Sequence, residues 1–389
     1  MRVLPSIITL IIEGSLFKKE KVELIYQDRI QKAQEILNDL NIDALLVTSS
    51  ANFFYFSGTW LESHERLQAI VINKAGQPIM LIHEMSKEEI TNPTLFQTVF
   101  WKDGDKSIEI LGEFLPNEGV ISIDNQWPSL NLINLIQLNN NIKFVDSTSI
   151  IGKLRLKKDL HEIELLKKSG AIADEVVGKT IDFIKVGMTE LEVVDEIQRL
   201  FEMHNVKKMS FNPVVGAGKN GAVPHHHSGE TKISEGDMVV IDIGGIKDFY
   251  CSDITRTIFI GDSVTEEMQT VYNTVKYAQE EAVKAIKPGV PLKEIDRVAR
   301  DIITEAGYGA QFTHRTGHGL GIEVHEEPFV TFNNDQLLEE GMVISVEPGV
   351  YLSEKFGVRI EDIVVVTQSG FERINNYPRE LVIKNRLPL

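Results

Sequence analysis

The stretch DMVVIDIGGIKDFYCSDITRTIFIG, residues 237–261, decides the fold of this chain. It predicts two apolar strands, each with one aspartate near its middle, Asp242 in the first and Asp253 in the second. An ionised carboxylate among valine and isoleucine side chains costs several kcal/mol unless a positive group meets it. The two strands therefore predict a positive partner for both acids.

A diverged duplication surrounds this stretch. Residues 184–200 and 286–302 share an Ile-Lys-x-Gly start followed by an amphipathic helix. The first helix has a Thr189/Glu192 capping box, and the second opens with Pro291. The chain is thus expected to contain two related helix–hairpin halves.

Each half also supplies two acids. A strand introduced by Glu-Gly follows each helix, and an acid comes six residues after the glycine, Asp242 in one half and Glu347 in the other. A second strand in each half adds Asp253 and Glu361. Four carboxylates at the centre of a pseudo-symmetric shell repel one another strongly without cations. The expected positive partner is therefore a metal, as two divalent ions, and oxygen ligands suit Mn²⁺, Co²⁺, Fe²⁺ or Zn²⁺.

The rest of the chain predicts an α/β protein with two domains after an extension at residues 1–24. Residues 25–150 alternate helix and strand and form a smaller α/β domain, whereas 151–389 form the larger domain with the four acids. The first domain starts with an amphipathic helix at 28–43, and a helix at 153–184 leads into the second. The predicted strands of the first domain lie within residues 44–49, 67–84 (a hairpin), 119–125 and 142–148.

Charge and cysteine content exclude several function classes. The net charge of −17 argues against nucleic acid or an anionic membrane as a partner. The one cysteine, Cys251, excludes an internal disulfide framework and is interpreted as a packed strand residue. The first 24 residues have no cleavage site typical of a signal peptide. The expected location is the reducing cytoplasm.

Histidines cluster in the same region as the acids. Six of the ten lie between residues 225 and 325, in VPHHHSGE and HRTGHGLGIEVHEEP, and no HExxH zinc motif is present. Together with DIGG, SDITRT, SVEPGVY and GVRIED, these segments resemble the proline-specific metallopeptidases of the pita-bread fold, Xaa-Pro dipeptidase (prolidase) and Xaa-Pro aminopeptidase (aminopeptidase P). The segment DALLVTSSANFFYFSGT is similar to the smaller, creatinase-like N-terminal domain of that family. The resemblance therefore covers nearly the whole chain.

The resemblance implies a dinuclear centre in a pita-bread catalytic domain. Its ligands would be the side chains at the five motif positions, with Asp253 and Glu361 bridging the ions, and Mn²⁺ is the first expectation. The full set is Asp242, Asp253, His318, Glu347 and Glu361. It agrees with the four acids of the duplicated halves plus one histidine.

Further residues are expected around the substrate by the same resemblance. His225, His314, His325 and Arg359 would contact it, and only His225 of the three consecutive histidines matches the motif. Arg359 has an alternative role, which is to orient Glu361 by a charged hydrogen bond. The other two histidines of the run are expected to be structural or exposed.

The implied reaction is hydrolysis of the Xaa-Pro bond at the N-terminus of short peptides with proline second. A metal-bound hydroxide would attack the carbonyl, Glu347 would take the proton, and His225 and His325 would donate to the developing oxyanion. Family resemblance also suggests a homodimer. The alternatives are a methionine aminopeptidase-like enzyme and a metal-free homologue that acts as an amidinohydrolase or a binding module.

One position departs from part of the family. Some prolidases carry arginine directly after the proline of the His-Glu-x-Pro segment, where it pairs with the substrate carboxylate. Here that position is Phe329. Because phenylalanine cannot pair with a carboxylate, the sequence predicts that Xaa-Pro-Yaa peptides are cleaved at least as efficiently as Xaa-Pro dipeptides.

Overall fold

The computed structural model describes residues 7–62 and 65–384 of the chain. They belong to two compact units, Met1–Leu154 and Arg155–Leu389. The domain boundary at residue 150 stays a prediction. Part of the expected N-terminal extension, residues 1–6, lies outside the described residues. Across the described ranges, no helix is both long and apolar enough to cross a membrane.

The first unit is a mixed sheet with helices packed against it. Its helices are α1 (Ile7–Asp39), α2 (Ser50–Ser57), α3 (Ser107–Gly112) and α4 (Ser129–Leu138). Its strands are β1 (Ala44–Val47), β2 (Ala69–Asn73), β3 (Ile79–His83), β4 (Gln97–Trp101), β5 (Gly119–Ile123) and β6 (Ile142–Asp146). They lie in the order β4-β3-β2-β1-β5-β6. The strands predicted from sequence are confirmed, and the structure adds β4 and helices α2 to α4.

The core of this unit explains why the strands read as continuous apolar runs. Leu46, Val71 and Ile121 of the central strands are fully buried against Leu111 of α3 and Leu135 of α4. Each such side chain stabilises the fold by about 1.5–3 kcal/mol. Alternation of polar and apolar residues is absent here because the central strands are covered on both faces.

The helix predicted at 153–184 is broken. The structure has α5 (Lys153–Leu156) and α6 (Leu160–Phe183), with Asp159 as the N-cap between them. The Glu162 amide donates to the Asp159 carboxylate at 2.9 Å, and the Asp159 amide donates to the Glu162 carboxylate at 3.1 Å. This capping box satisfies amides that a new helix leaves without partners, and the single-helix prediction was therefore wrong.

The second unit continues with three long helices and several small sheets among its described residues. The helices are α7 (Glu190–Met203), α8 (Glu266–Lys284) and α9 (Leu292–Glu305). The strands are β7 (Lys208–Met209), β8 (Val214–Ala217), β9 (Met238–Ile243), β10 (Gly245–Lys247), β11 (Tyr250–Cys251), β12 (Ile254–Ile260), β13 (Gly317–Gly319), β14 (Glu326–Val330), β15 (Val343–Val346), β16 (Gly349–Leu352), β17 (Phe356–Arg359), β18 (Asp362–Thr367), β19 (Gly370–Arg373) and β20 (Val382–Lys384). The two larger sheets have the orders β20-β12-β9-β8 and β14-β13-β15-β18-β19.

The predicted duplication is visible in this arrangement. In the first half, α6 and α7 bury their apolar faces against β8, β9 and β12, and in the second half α8 and α9 do so against β15 and β18. The Thr189 capping box is present on α7, and Pro291 precedes α9. Gly236 and Gly341, which introduce the equivalent strands, have φ angles of +95° and +87°. These angles favour glycine, which explains the repeated Glu-Gly pair.

Candidate metal centre and substrate cavity

Four acidic side chains meet because the two halves place them at equivalent strand positions. Asp242 lies in β9 opposite Thr255, and Asp253 directly precedes β12. Glu347 directly follows β15, and Glu361 directly precedes β18. A bridge in which the Glu361 amide donates to the Thr255 carbonyl at 3.1 Å joins the strand ends of the two halves. All four acids predicted from the sequence line one cavity of about 770 Å³.

His318 is brought to the acids by the glycines on either side of it in β13. A Cβ atom at Gly317 or Gly319 would lie 1.9 Å or 2.3 Å from carbonyl oxygens of the neighbouring strands, so only glycine permits this close packing. The His318 Nδ1 lies 3.0 Å from the Gly319 carbonyl, which can only accept, and it therefore carries the proton. The lone pair of Nε2 faces Asp253 Oδ2 at 3.8 Å and Glu347 Oε1 at 3.4 Å.

The residues present fit divalent cations. One ligand atom each of Asp253, His318 and Glu361 lies within 4.8 Å of the others, and all three side chains are buried. Asp242 Oδ1, Asp253 Oδ1 and Glu361 Oε1 are buried without a hydrogen-bond donor. Ionised carboxylates only accept, so these buried oxygens need a cation or a proton.

The electrostatics of the cluster lead to the same conclusion. Burial raises the pKa of Asp253 and that of Glu361 well above their usual range, and the neighbouring carboxylates raise both further. Removal from water also raises the pKa of Glu347 to about 7. Burial lowers the pKa of His318 to about 3, which keeps its ring neutral. A divalent cation would relieve the repulsion that raises these carboxyl pKa values, and the neutral His318 imidazole can act as one of its ligands.

Arg359 has a different partner from the one that the sequence suggested. Its guanidinium donates to Asp242 Oδ2 at 2.6 Å, to the Tyr351 hydroxyl at 3.0 Å and to Thr255 Oγ1 at 3.3 Å. Glu361 is instead oriented by Thr255, whose hydroxyl donates to Glu361 Oε2 at 2.8 Å. Arg359 therefore orients Asp242, and three of its five N–H donors are used in these contacts.

His314 is also occupied on both ring nitrogens. Its Nδ1 lies 2.7 Å from the Arg315 carbonyl and therefore donates. Its Nε2, 2.8 Å from the Tyr351 hydroxyl, accepts from that group. Burial lowers the pKa of His314 to about 4, so the neutral ring is the stable form. In this arrangement His314 holds Tyr351, which in turn accepts from Arg359.

The two other predicted histidines remain open to the cavity. His225 and His325 line it and are exposed, and the His325 ring lies 4.3 Å from that of His318. The adjacent His226 is structural, as expected, because its Nε2 lies 2.8 Å from the fully buried Glu190 carboxylate. The segment with the three consecutive histidines is thus anchored through His226, and His225 is free to contact a ligand.

Glu326, directly after His325, is likewise anchored by a buried charged contact. The Glu326 carboxylate is buried and pairs with Arg155 and, at 3.2 Å, with Lys158. The charges of Arg155 and Lys158 overcome burial and lower the pKa of Glu326 to about 2. Since a buried ion pair is costly to break, this contact restrains the backbone that presents His325.

Comparison with known proteins identifies the family. Residues 164–368 match the family described as metallopeptidase family M24, and they cover more than half of the chain. The chain belongs to metallopeptidase family M24. Residues 29–157 match the creatinase/prolidase N-terminal domain. The resemblance stated from the sequence motifs is therefore confirmed, as is the α/β fold class.

Similar proteins extend the M24 assignment over most of the chain. An uncharacterised peptidase of Staphylococcus aureus strain MW2 is 37% identical over 356 residues, which are 90% of this chain and 99% of that protein. The crystal structure of the Thermococcus sibiricus prolidase has a TM-score of 0.87 and 35% identity over 92% of this chain and 99% of its own. The X-Pro aminopeptidase of Thermotoga maritima has a TM-score of 0.79 and 31% identity, covering 90% and 98%. Membership of M24 implies divalent metal ions, which the donor set accommodates.

Sequence reasoning missed several residues of this M24 site. Tyr351 and Glu190 were not selected, although Tyr351 closes the SVEPGVY segment and Glu190 directly follows the capping residue Thr189. Arg315 was also missed, although it directly follows His314 in the HRTGH segment and lines the cavity. Adjacency to residues already selected was the one available signal for all three.

Proposed function

We propose that this chain is a two-metal exopeptidase that hydrolyses the bond between an N-terminal residue and a following proline. The observation that carries the proposal is the buried cluster of Asp253, His318 and Glu361, in which Asp253 Oδ1 and Glu361 Oε1 have no hydrogen-bond donor among the described residues. The names of the similar solved proteins, a prolidase and an X-Pro aminopeptidase, support the proline specificity.

The metal ions would be held by the five motif residues. Asp242, His318 and Glu347 would each bind one ion, while Asp253 and Glu361 would bridge the pair, and Mn²⁺ is the first candidate. When bound, the ions would supply Lewis acidity and lower the pKa of a shared water.

The chain's own residues have separate tasks in the proposed reaction. Glu347 would take a proton during attack; Ser345 Oγ donates to its Oε1 at 3.3 Å and thereby orients the carboxylate. His225 and His325 would donate to the carbonyl oxygen as negative charge develops there. Asp242 would be kept in place by a series of hydrogen bonds through Arg359, Tyr351 and His314.

Part of the cavity wall suits a proline ring. Apolar side chains form it, and a tertiary Xaa-Pro amide offers no N–H to be hydrogen-bonded there. These residues are Leu191, Val194, Phe211, Pro213 and Val214. Burial of the ring against them would contribute to binding without a polar partner.

A peptide panel tests the proposal. Ala-Pro, Ala-Pro-Ala, Ala-Ala-Ala and Met-Ala-Ser should be assayed with added Mn²⁺ or Co²⁺. We expect cleavage of the two proline peptides, with kcat/KM at least about a hundredfold above that for the peptides without proline. Preference for Met-Ala-Ser would indicate a methionine aminopeptidase-like enzyme. No cleavage together with no bound metal would indicate a metal-free homologue.

Two histidine variants separate metal binding from catalysis. His318→Ala should weaken metal affinity by at least about a hundredfold, because it removes a ligand. His325→Ala should keep the metal but lower kcat by about a hundredfold, because one oxyanion donor is lost. Metal content per chain and kcat measure the two effects, and His161→Ala, an exposed histidine on α6, is the control. Equal metal loss in both variants would contradict this division of roles.

A further inference from the structure

The cavity contains two arginines, and they differ in what they bind. Arg359 is buried and donates to Asp242, Tyr351 and Thr255. The Arg315 guanidinium makes no hydrogen bond or ion pair with any residue that the structure describes, although it is only partly exposed. A guanidinium offers five N–H donors in a planar fork. Arg315 is therefore a cation with open donors inside the proposed substrate cavity.

The Arg315 side chain is nevertheless held in place. Its Cζ lies 4.3 Å from the centroid of the Phe329 ring, in a cation–π contact. Stacking uses the face of the guanidinium and leaves the N–H donors at its edge available. Phe329 itself lies on β14 directly opposite His318 of β13. The contact thus fixes a positive charge next to the strand that carries a proposed metal ligand.

Phe329 occupies the position at which some prolidases carry the arginine for the substrate carboxylate. The sequence suggested that the charge is lost here, because a phenylalanine replaces it. In the structure, the Phe329 ring stacks on a different arginine, Arg315. The positive charge is therefore supplied by the segment directly before β13. Planar carboxylates match the guanidinium fork with two parallel hydrogen bonds.

We propose that Arg315 binds the carboxylate of a C-terminal proline, so that the substrates of this site are Xaa-Pro dipeptides. The inference rests on the proposed function and reverses the sequence-based expectation about longer peptides. In a tripeptide the same position holds a neutral peptide carbonyl, which pairs less strongly with a guanidinium than a carboxylate does.

The test compares substrates that differ only in this charge, Ala-Pro and Ala-Pro-NH₂. We expect the wild-type kcat/KM to be at least about tenfold higher for the acid than for the amide. Arg315→Gln should lower kcat/KM for Ala-Pro by about thirtyfold, mainly through KM, and for the amide by less than about threefold. Phe329→Leu, which removes the stacking ring, should give a smaller loss with the same substrate dependence. Ala-Pro-Ala should follow the amide.

Controls separate the carboxylate contact from damage to the site. Arg297→Gln removes the same charge from an exposed helix position paired with Glu294 and Asp301, and should change neither substrate. Metal content of Arg315→Gln should equal that of the wild type. An equal loss on acid and amide, a loss of metal, or a wild-type preference for the amide or for Ala-Pro-Ala would overturn the proposal.

A binding measurement keeps this proposal separate from the proposed reaction. Calorimetric titration of the metal-loaded protein should show proline binding at least about tenfold more tightly than prolinamide, and Arg315→Gln should abolish that difference. The same affinity for both ligands would overturn the role of Arg315, whether or not peptides are cleaved. Failure to cleave any proline peptide, with the binding difference present, would contradict only the peptidase proposal.

Discussion

Replacing Asp253 with asparagine is expected to lower kcat/KM on a proline peptide by more than about a thousandfold. Asp253 is buried beside Glu361 and His318, and it is proposed to bridge both ions. Asparagine keeps the shape of the side chain but removes its charge. The ions would thus lose a shared ligand, and metal content per chain should fall together with activity.

A second measurement excludes simple unfolding as the cause. Without metal, burial and the neighbouring carboxylates disfavour the ionised form of Asp253, so Asp253→Asn should leave the free energy of unfolding of the metal-free protein at least as high as that of the wild type. Chemical denaturation in the presence of a chelator measures this free energy. Asp262→Asn, an exposed position beyond the other end of β12, is the matched control and should change neither activity nor stability. Retained activity in Asp253→Asn would rule out the bridging role.

Removal of metal should abolish activity entirely, and added Mn²⁺ or Co²⁺ should restore it. The physical reason is that the proposed ions supply the Lewis acidity of the reaction, and the buried carboxylate oxygens without hydrogen-bond donors would hold them. Binding to the folded state should also stabilise the protein, by about 2.7 kcal/mol at a free metal concentration of a hundred times Kd. Peptide hydrolysis and thermal unfolding, each with and without chelator, measure the two effects.

The Asp253→Asn variant is the control for the metal-dependent stabilisation. Asp253→Asn should show little or no metal-dependent rise in Tm, whereas Asp262→Asn should show the full wild-type rise. Full peptidase activity in a metal-stripped sample with chelator present would be incompatible with the proposed two-metal chemistry.

The four acids were predictable from sequence because each is an anomaly in its local pattern. Asp242 and Asp253 lie in or beside runs of Val and Ile, where a charge has no local reason to be. The duplication then identified Glu347 and Glu361 as their counterparts in the second half. Periodicity and turn chemistry likewise predicted the helices and paired strands of both halves, since those signals act over a few residues.

Interactions between distant positions could not be predicted in this way. Arg359 bonds to Asp242, which is 117 positions away in the chain, and no local pattern indicates that pairing. Arg315 was overlooked because its stacking on Phe329 depends on how β13 and β14 pair. The break before α6 had a local signal, the Asp159/Glu162 capping box, but the continuous apolar periodicity concealed it.

The bridge between Thr255 and Glu361 has a consequence for how the protein matures during synthesis. The two residues are 106 positions apart, so the loop between them must close before the ligand set is complete. While the ribosome is still making the second half, Asp242 and Asp253 have neither His318 nor Glu361 beside them. Uptake of the proposed metal ions is therefore expected late in maturation, because a nascent chain that ends before Glu361 lacks part of the proposed ligand set.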